Sequence, residues 1–267
     1  MKAPQNYNFI LFLSFDFDGE SAEVMRKEDP ITISRGRYGS RVGIHKVISV
    51  LERYNIRTTF FTPGWIVEHY PEIIKTLVRK GHEVALHGYL HERLDKIERL
   101  EDEEHIFKLG ENAILRITGT KPLGFRAPYW RWSRNTLSLL LSRGYLYDSS
   151  LMDSDDPYVI KHDERKLVVL PVDWRLDDWP YLELYRTLTP KELLSMWLEE
   201  LEYARSRKGF VSITLHPQCI GRGARIKILE ELITVAIKMK AWIPKGIDIA
   251  RYVLGIAQED SILIREL

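Results

Sequence analysis

Acidic, histidine and arginine side chains follow the apolar runs of this sequence repeatedly. The run FILFLSF is followed by Asp16 and Asp18, which are two residues apart. Ionised carboxylates are rarely left beside an apolar interior without partners, because their desolvation is costly. Either these aspartates cap a solvated loop, or a positively charged partner faces them. The spacing alone leaves both interpretations open.

Four further runs are followed by groups that can titrate or bind an ion. LHGYLHE puts His87 and His91 four residues apart, a spacing that can place both rings on one helical turn around a shared ion. Arg126 follows in FRAPYW, Asp173 in PVDW and His216 in TLHPQ. Each has a structural alternative, because histidine pairs occur on solvated surfaces, a lone histidine often only packs, and arginine pairs with any surface acid.

The elements that must position these residues alternate between strands and helices. The predicted strands are Phe9–Phe15, Thr58–Thr62, Glu83–Leu86, Gly124–Arg126, Leu146–Asp148, Leu167–Val172 and Phe210–Leu215. The predicted helices are Val42–Tyr54, Pro71–Lys80, Leu100–Ile117, Arg134–Ser142, Pro190–Ser206 and Ala224–Met239. This alternation predicts an α/β fold, a distorted (β/α) barrel of about seven or eight parallel strands. Catalytic groups of such barrels come from the carboxyl ends of the strands, so the candidate residues should meet at one rim.

Composition excludes several classes of protein. The 267 residues, 45% of them apolar, predict a single globular domain over residues 1–267. A net charge of +1 gives no electrostatic case for a nucleic acid or an anionic membrane. No apolar run approaches the roughly 18–20 residues that span a bilayer, and the start MKAPQNYN does not resemble a signal peptide, so we expect a cytoplasmic protein. The single cysteine, Cys219, excludes an intramolecular disulfide and a cysteine-built zinc site.

Five motifs, FDFDG, HGYLH, RAPYW, VDW and LHP, occur in the order of the motifs of one family. From about Phe9 to Pro217 the chain resembles the polysaccharide deacetylase family, also called the NodB-homology or carbohydrate esterase family 4 domain. The segments RYGSRVG and TTFFTPGW resemble more closely its branch of peptidoglycan-deacetylase-like proteins, cyclic imide hydrolases and metal-independent allantoinases. The distorted barrel that the family implies agrees with the pattern of elements.

The resemblance implies a metal site. Asp18, His87 and His91 match the family's metal-binding triad, and two imidazoles with one carboxylate suit a divalent metal, Zn²⁺ before others. Two departures from the commoner pattern are Phe17, which separates the two aspartates, and Gly88, where Ser or Thr is usual. The allantoinase relatives work without a metal, but all three ligands are present here, so we expect a bound ion.

The resemblance also implies an acid and a base. Asp16 matches the general base that takes a proton from the attacking water, and Arg126 matches the arginine that holds this aspartate. His216 matches the general acid that protonates the departing amine. Asp173 matches the carboxylate that orients this histidine and stabilises its protonated form.

Together these features predict a metal-dependent hydrolase of non-peptide carbon–nitrogen bonds, foremost a deacetylase of N-acetylated amino sugars. Ring opening of a cyclic imide or of allantoin is one alternative, and a non-catalytic carbohydrate-binding relative is another. The expected partner is a small-molecule amide, imide or acetylated sugar. The segment Glu20–Arg41, rich in Gly, Ser and Arg, is predicted to be a long loop over one face. With the Trp-rich segments Tyr129–Trp132 and Trp174–Tyr181, this loop favours a homo-oligomer with covered active sites, a tetramer rather than a dimer.

Overall fold

The computed structural model describes residues 2–256 and 264–266. The strands are β1 (Phe9–Asp16), β2 (Thr59–Thr62), β3 (Glu83–Leu86), β4 (Gly124–Phe125), β5 (Tyr147–Asp148), β6 (Tyr158–His162), β7 (Arg165–Val169), β8 (Phe210–Leu215), β9 (Ala241–Trp242) and β10 (Ile264–Glu266). The α-helices are α1 (Ser21–Met25), α2 (Pro30–Tyr38), α3 (Ile44–Arg53), α4 (Gly64–His69), α5 (Pro71–Arg79), α6 (Leu100–Thr118), α7 (Thr136–Arg143), α8 (Pro190–Ser206), α9 (Pro217–Ile220), α10 (Ile226–Lys238) and α11 (Gly246–Ile256). In this part of the chain, no helix combines the length and the apolar character that a bilayer crossing requires.

A run of parallel strands forms the centre of the fold. Within the described residues, the sheet order is β10-β6-β7-β5-β4-β3-β2-β1-β8, and β9 pairs with β1. Among the strand pairs of residues 2–256 and 264–266, β6–β7 alone is antiparallel, so β7, β5, β4, β3, β2, β1 and β8 form a parallel run. A parallel bridge between Asp177 and Thr214 joins the segment after β7 to β8, which curls the run back towards its other edge. The mostly parallel α/β fold predicted from the sequence is confirmed.

Successive residues of each strand belong to two different cores, because side chains alternate across a sheet. In β1, Phe9, Leu11, Leu13 and Phe15 belong to the outer core between sheet and helices. The alternate residues, Ile10 and Phe12, belong to a smaller inner core. α11 adds apolar side chains to the inner core and lies at the amino ends of β2 and β3, where its backbone N–H groups bond Thr59 and Glu83. The carboxyl ends of the strands are therefore left for a site.

Proline, threonine and glycine set several helix ends. α5 and α8 begin at Pro71 and Pro190, as predicted, because proline is tolerated in a first turn that lacks N–H partners. Thr189 and Glu192 also form a reciprocal capping box at α8. α7 ends at Arg143 and is capped by Gly144, which has the left-handed φ of 77° that glycine adopts without strain.

The prediction of a long loop over Glu20–Arg41 is wrong, because this segment is mostly helical. It contains α1 and α2, and a π-helical turn over Gly39–Gly43 leads directly into α3. The Asp29 carboxylate accepts hydrogen bonds from the N–H groups of Ile31 and Thr32, and Pro30 occupies the first helical position. The weak apolar periodicity of α2 concealed this start signal.

A buried carboxylate anchors this helical segment. Glu20 is buried and accepts hydrogen bonds from Arg37 (3.1 Å), Ser40 (3.0 Å) and the hydroxyl of Tyr70. These contacts tie the two ends of the segment to each other and to the start of α5. The segment that follows β1 is therefore held in one position against the barrel rim.

Candidate active site

The strand ends place six candidate side chains together. Because alternate residues of β1 face the inner core, Asp16 and Asp18 lie on the same inward face. The same alternation directs the residues after β3, β4 and β8 inward. The six side chains are all buried: Asp16, Asp18, His87, His91, Arg126 and His216.

Asp16 is held by a fully buried arginine. Nη1 of Arg126 donates to Oδ1 of Asp16 at 2.6 Å, while Nε and Nη2 of Arg126 donate to the carbonyl and hydroxyl oxygens of Ser149. The guanidinium also lies 4.0 Å from the centroid of the Phe61 ring. Burial alone would raise the pKa of Asp16, but the positive charge of Arg126 and that of the neighbouring histidines lower it overall. Asp16 is therefore an ionised carboxylate with a fixed orientation.

Asp18, His87 and His91 converge as the predicted triad. One ligand atom from each side chain lies within 4.8 Å of the others. Nε2 of His87 is 3.5 Å from Oδ1 of Asp18, and Nε2 of His91 is 3.6 Å from Oδ2. Nδ1 of His87 donates to the carbonyl oxygen of Arg126 at 2.7 Å, so its Nε2 keeps a lone pair for an ion.

The protonation chemistry of the triad fits a divalent cation. Burial raises the pKa of Asp18 to about 8, which marks a carboxylate whose negative charge lacks a sufficient local partner. Burial lowers the pKa of His87 to about 4 and that of His91 well below its ordinary value, so both imidazoles are neutral. Oδ1 of Asp18 and Nδ1 of His91 are buried without a hydrogen-bond partner among the described residues. A buried set of one carboxylate and two neutral imidazoles matches the ligands that zinc takes.

The loop between the two histidines is not the helical turn that their spacing suggested. His91 has a left-handed φ of 65°, and Gly88 has a φ of 71°. The Glu92 carboxylate holds this loop by accepting hydrogen bonds from the N–H groups of Tyr89 (2.9 Å) and Leu90 (2.8 Å). A Cβ atom on Gly88 would lie 2.8 Å from an oxygen of Glu92, so the position needs glycine. Glu92 thus replaces the hydroxyl that is usual beside the first histidine.

His216 is held by two adjacent carboxylates. Its Nδ1 donates to Oδ1 of Asp178 at 2.8 Å and lies 3.4 Å from Oδ1 of Asp177. The backbone N–H of His216 also donates to Asp178, and Nε2 lies 3.6 Å from Oδ2 of Asp18. Burial alone would lower the pKa of His216, but Asp177, Asp178 and Asp18 raise it well above its ordinary value. His216 is therefore a protonated imidazolium that faces the metal-binding triad.

The expectation that Asp173 orients His216 is wrong. Asp173 accepts a hydrogen bond from the N–H of Arg175 at 2.8 Å and forms an ion pair with its guanidinium. Its side chain is 39% exposed, and it caps the short 3₁₀ turn Trp174–Leu176. The motif VDW predicted Asp173 for this role. The two carboxylates that contact His216, Asp177 and Asp178, come four and five residues later in RLDDWP. The two adjacent acids in this stretch, which pairs with β8 in the structure, were the sequence signal that could have identified the partners of His216.

Gln218 is a further buried residue of the site that sequence reasoning missed. Its amide nitrogen lies 3.4 Å from Oδ2 of Asp18 and can donate to it. Gly39, in the π-helical turn, packs against it, and a Cβ atom there would lie 2.8 Å from Cβ of Gln218. The turn in RYGSRVG therefore supports the residues that follow β8.

The RAPYW segment forms part of the rim in a strained backbone conformation. Tyr129 and Trp130 have left-handed φ angles of 58° and 54°, which cost energy for residues with a side chain. The Tyr129 ring lies 4.5 Å from that of His91, and its hydroxyl accepts a hydrogen bond from Arg26 of the α1–α2 segment at 2.8 Å. This backbone conformation places the Tyr129 ring beside His91, a predicted metal ligand, and joins it to the α1–α2 segment.

The chain is similar to known proteins along most of its length. Residues 37–147 match the family model for polysaccharide deacetylase. The peptidoglycan deacetylase of Helicobacter pylori is 30% identical over 240 residues, which are 78% of this chain and 82% of that protein.

Solved structures agree with this likeness. A crystal structure from Mycobacterium smegmatis, provisionally assigned as a polysaccharide deacetylase, has a TM-score of 0.89 and 35% identity, covering 100% of this chain and 96% of that one. An allantoinase crystal structure has a TM-score of 0.86 with 21% identity, over 94% of this chain and 91% of its own, which concerns the fold alone.

Proposed function

The chain belongs to the polysaccharide deacetylase family and is therefore a hydrolase of carbon–nitrogen bonds other than peptide bonds; from that premise we propose that it is a metal-dependent deacetylase of N-acetylated amino sugars. One observation carries this proposal: an ionised Asp16 and a protonated His216 both lie against the Asp18–His87–His91 triad. A base, an acid and a cation site in one place are the groups that amide hydrolysis requires.

Asp18, His87 and His91 would hold the ion, with Zn²⁺ as the expected metal. When bound, such an ion brings the pKa of a coordinated water towards ~7 and polarises an amide carbonyl. Gln218 supports this role by directing its amide nitrogen at Oδ2 of Asp18. Glu92 supports it by fixing the loop that carries His91.

Asp16 would take the proton from the attacking water. One nitrogen of Arg126 donates a hydrogen bond to Oδ1 of Asp16. Oδ2 of Asp16 lies 3.8 Å from Nε2 of His87, next to the metal-binding triad. Because Arg126 is itself anchored on Ser149, the carboxylate cannot turn away without breaking buried hydrogen bonds.

His216 would give a proton to the departing amine nitrogen. Asp178 fixes the ring through Nδ1, so Nε2 carries the proton that faces the site. Asp178 would therefore take the role expected of Asp173, and the nearby Asp177 adds a second negative charge that favours the imidazolium.

The relatives support an acetylated amino sugar as the substrate. The Helicobacter pylori relative carries the name peptidoglycan deacetylase, and two relatives matched over shorter stretches are named chitooligosaccharide deacetylases. N-acetylated amino sugars are the chemistry these names share. The allantoinase likeness lies in the fold, so it favours ring opening less.

An assay of substrate classes tests the proposal. Purified protein supplied with Zn²⁺ is measured for acetate release from soluble N-acetylglucosamine oligomers, and for ring opening of a cyclic imide and of allantoin. We expect acetate release that stops on chelation and in His91→Ala, with the ion lost and the fold retained by circular dichroism. Ring opening without acetate release would replace the deacetylase function, and inactivity of the metal-loaded protein on every substrate would overturn the assigned reaction.

A further inference from the structure

A cavity of about 450 Å³ lies outside the candidate active site. It lies between α2, the π-helical turn Pro180–Leu184 and the segment after α9. Cavities of this size commonly hold small-molecule ligands. Its lining contains four arginines and one acid: Arg35, Arg186, Arg222, Arg225 and Glu183.

Glu183 orients two of the arginines. Its two carboxylate oxygens pair with Nη2 of Arg35 and Nη1 of Arg225, each at 2.5 Å. Nη2 of Arg225 also donates to the carbonyl oxygen of Leu182 at 3.3 Å. Burial alone would raise the pKa of Glu183, but the hydrogen bonds from Arg225 and Arg35 lower it overall. Four guanidinium charges and one ionised carboxylate leave a formal charge of +3 at the lining.

The other two arginines have donors to spare. The guanidinium of Arg222 lies 4.2 Å from the centroid of the Tyr38 ring. Among the described residues its one hydrogen-bond acceptor is the carbonyl oxygen of Arg35, which Nη2 contacts. Arg186 is exposed and, in residues 2–256 and 264–266, has neither a hydrogen bond nor an ion pair. Guanidinium N–H groups therefore face this cavity without a protein acceptor.

We propose that this cavity binds a small oxyanion, through a phosphate or carboxylate group held by Arg186 and Arg222 with Arg35 and Arg225. The planar guanidinium matches such groups in a two-point arrangement. Glu183 and the Tyr38 ring already orient three of the four guanidinium groups, so the loss of side-chain entropy on binding falls mainly on Arg186. A neutral or cationic ligand would leave the excess positive charge without a partner.

The cavity adjoins the candidate active site through Cys219. Nη1 of Arg225 lies 3.5 Å from the carbonyl oxygen of Cys219, whose Sγ lies 3.7 Å from the carbonyl oxygen of Asp178. A free anion and an anionic group carried by the substrate share the same recognition chemistry, so these two sources need separate tests. The binding site itself goes beyond the proposed reaction and does not depend on it.

A calorimetric titration of the protein with inorganic phosphate at low ionic strength tests the site. We expect saturable binding of about one phosphate per chain. The double variant Arg186→Gln, Arg222→Gln should weaken it about tenfold or more, the scale of hydrogen bonds to charged groups. The control Arg79→Gln, Arg99→Gln removes the same charge from exposed positions elsewhere and should bind phosphate as the wild type does.

Three results would overturn the site. The first is no saturable binding by the wild type, and the second is an equal loss in the two double variants, since that would reflect net charge alone. The third is loss of phosphate binding in His91→Ala with retention in the Arg186, Arg222 variant, because the phosphate would then bind at the metal centre.

Kinetics with neutral and anionic acetylated sugars separate the two sources of the anion. If the substrate carries the anion, the Arg186, Arg222 variant raises KM for the anionic sugar alone. If a free anion binds, KM for both sugars stays unchanged while phosphate binding is still lost. This arm alone rests on the proposed function. A wild type that hydrolyses neither sugar would count against that function, while the phosphate titration still decides the site.

Discussion

Asp16 ends β1 and Asp18 follows two residues later, yet their surroundings shift their pKa values in opposite directions. Arg126 and the neighbouring histidines keep the pKa of Asp16 low against the effect of burial, whereas burial raises that of Asp18 to about 8. When the environments of two titratable groups move their pKa values apart, the two groups commonly have different chemical roles. Asp16 is thus suited to accept a proton, and Asp18 to neutralise a bound cation.

Replacing Asp16 separates these two roles. Asp16→Asn should keep the ion, since the triad is unchanged, but lower kcat by ~10²–10⁴, the usual scale of general-base catalysis. Metal content per chain and steady-state kinetics measure both effects. Asp102→Asn, at an exposed position of α6, is the matched control and should behave as the wild type. Loss of the ion in Asp16→Asn would mean that this carboxylate is a ligand instead.

Asp178 should matter for the leaving group. Asp178→Asn removes the negative charge at 2.8 Å from Nδ1 of His216, so protonation of a departing amine should slow by about 10²-fold or more. An activated ester, whose leaving group needs no proton, should lose much less rate. Asp173→Asn, the same change at a carboxylate paired with Arg175, should leave both substrates unaffected. Equal losses on amide and ester would contradict the acid role.

Sequence motifs located most of the site but not this carboxylate. Asp16, Asp18, His87, Arg126 and His216 were found because each lies at the end of a strand, or within two residues of it, where the alternation of the strand fixes its direction. Asp178 lies beyond a 3₁₀ turn, where no periodicity predicts which of three nearby acids turns inward. Its contact with His216 depends on the tertiary pairing of Asp177 with Thr214, which the sequence does not encode locally.

At the scale of elements, one buried histidine beside the start of β2 makes the stability of the fold depend on pH. His82 precedes β3, and its Nδ1 accepts a hydrogen bond from the N–H of Thr58 at 3.2 Å. Its ring meets the edge of Phe60, with centroids 5.3 Å apart. Burial lowers the pKa of His82 from its ordinary 6.5 to about 4, so the folded protein holds the neutral ring.

Protonation of His82 should destabilise the fold as the pH falls. The unfolded chain binds this proton below about 6.5 and the folded chain only below about 4, so its contribution is full above 6.5 and is lost between these values. The loss amounts to about 3 kcal/mol of unfolding free energy. Denaturant unfolding at several pH values measures it: His82→Gln should flatten this dependence, whereas His105→Gln, at an exposed position of α6, should retain it. Identical slopes in both variants would exclude His82 as the source.

Elements with strong periodicity or clear end signals were predictable, and the others were not. α5 and α8 were found from proline starts and apolar spacing, and β1 and β8 from continuous apolar runs. α2 was missed because Gly, Ser and Arg dilute its apolar face, although Asp29 and Pro30 mark its start. β6 was missed because its partner, β7, and not its own pattern, defines it.

At the scale of the whole molecule, exposed apolar side chains favour the predicted homo-oligomer. Ile31 on α2 is 74% exposed, and Leu184 and Tyr185 are 59% and 69% exposed. These residues lie on the two segments that the Arg35–Glu183 ion pair joins. Exposed apolar clusters often mark interfaces. Multi-angle light scattering should give a mass above one chain, with a tetramer expected, and Tyr185→Asp should lower it, whereas Tyr203→Asp on α8 should not. A monomeric wild type would contradict this prediction.

The segment from Glu20 to Arg41 bridges the rim of the barrel and should restrict the substrate to small or soluble molecules. Arg26 bonds the Tyr129 hydroxyl on one side, and on the other Tyr38 donates to the carbonyl oxygen of Gly221 at 3.2 Å. Beneath this bridge Asp16, Asp18, His87, His91, Arg126 and His216 are each at most 8% exposed as whole residues. A rigid polymer chain would have to displace α1 and α2, breaking the buried hydrogen bonds of Glu20.

We therefore expect acetate release from soluble N-acetylglucosamine oligomers and none above background from insoluble chitin. The variant Arg26→Ala removes one side of the bridge and should raise the rate on longer oligomers relative to short ones. Lys27→Ala, one residue away on the exposed surface, should leave that ratio unchanged. A crystalline polymer cannot reach buried catalytic groups beneath a fixed cover. Equal rates on insoluble chitin and on short oligomers would therefore show that the bridge does not limit access.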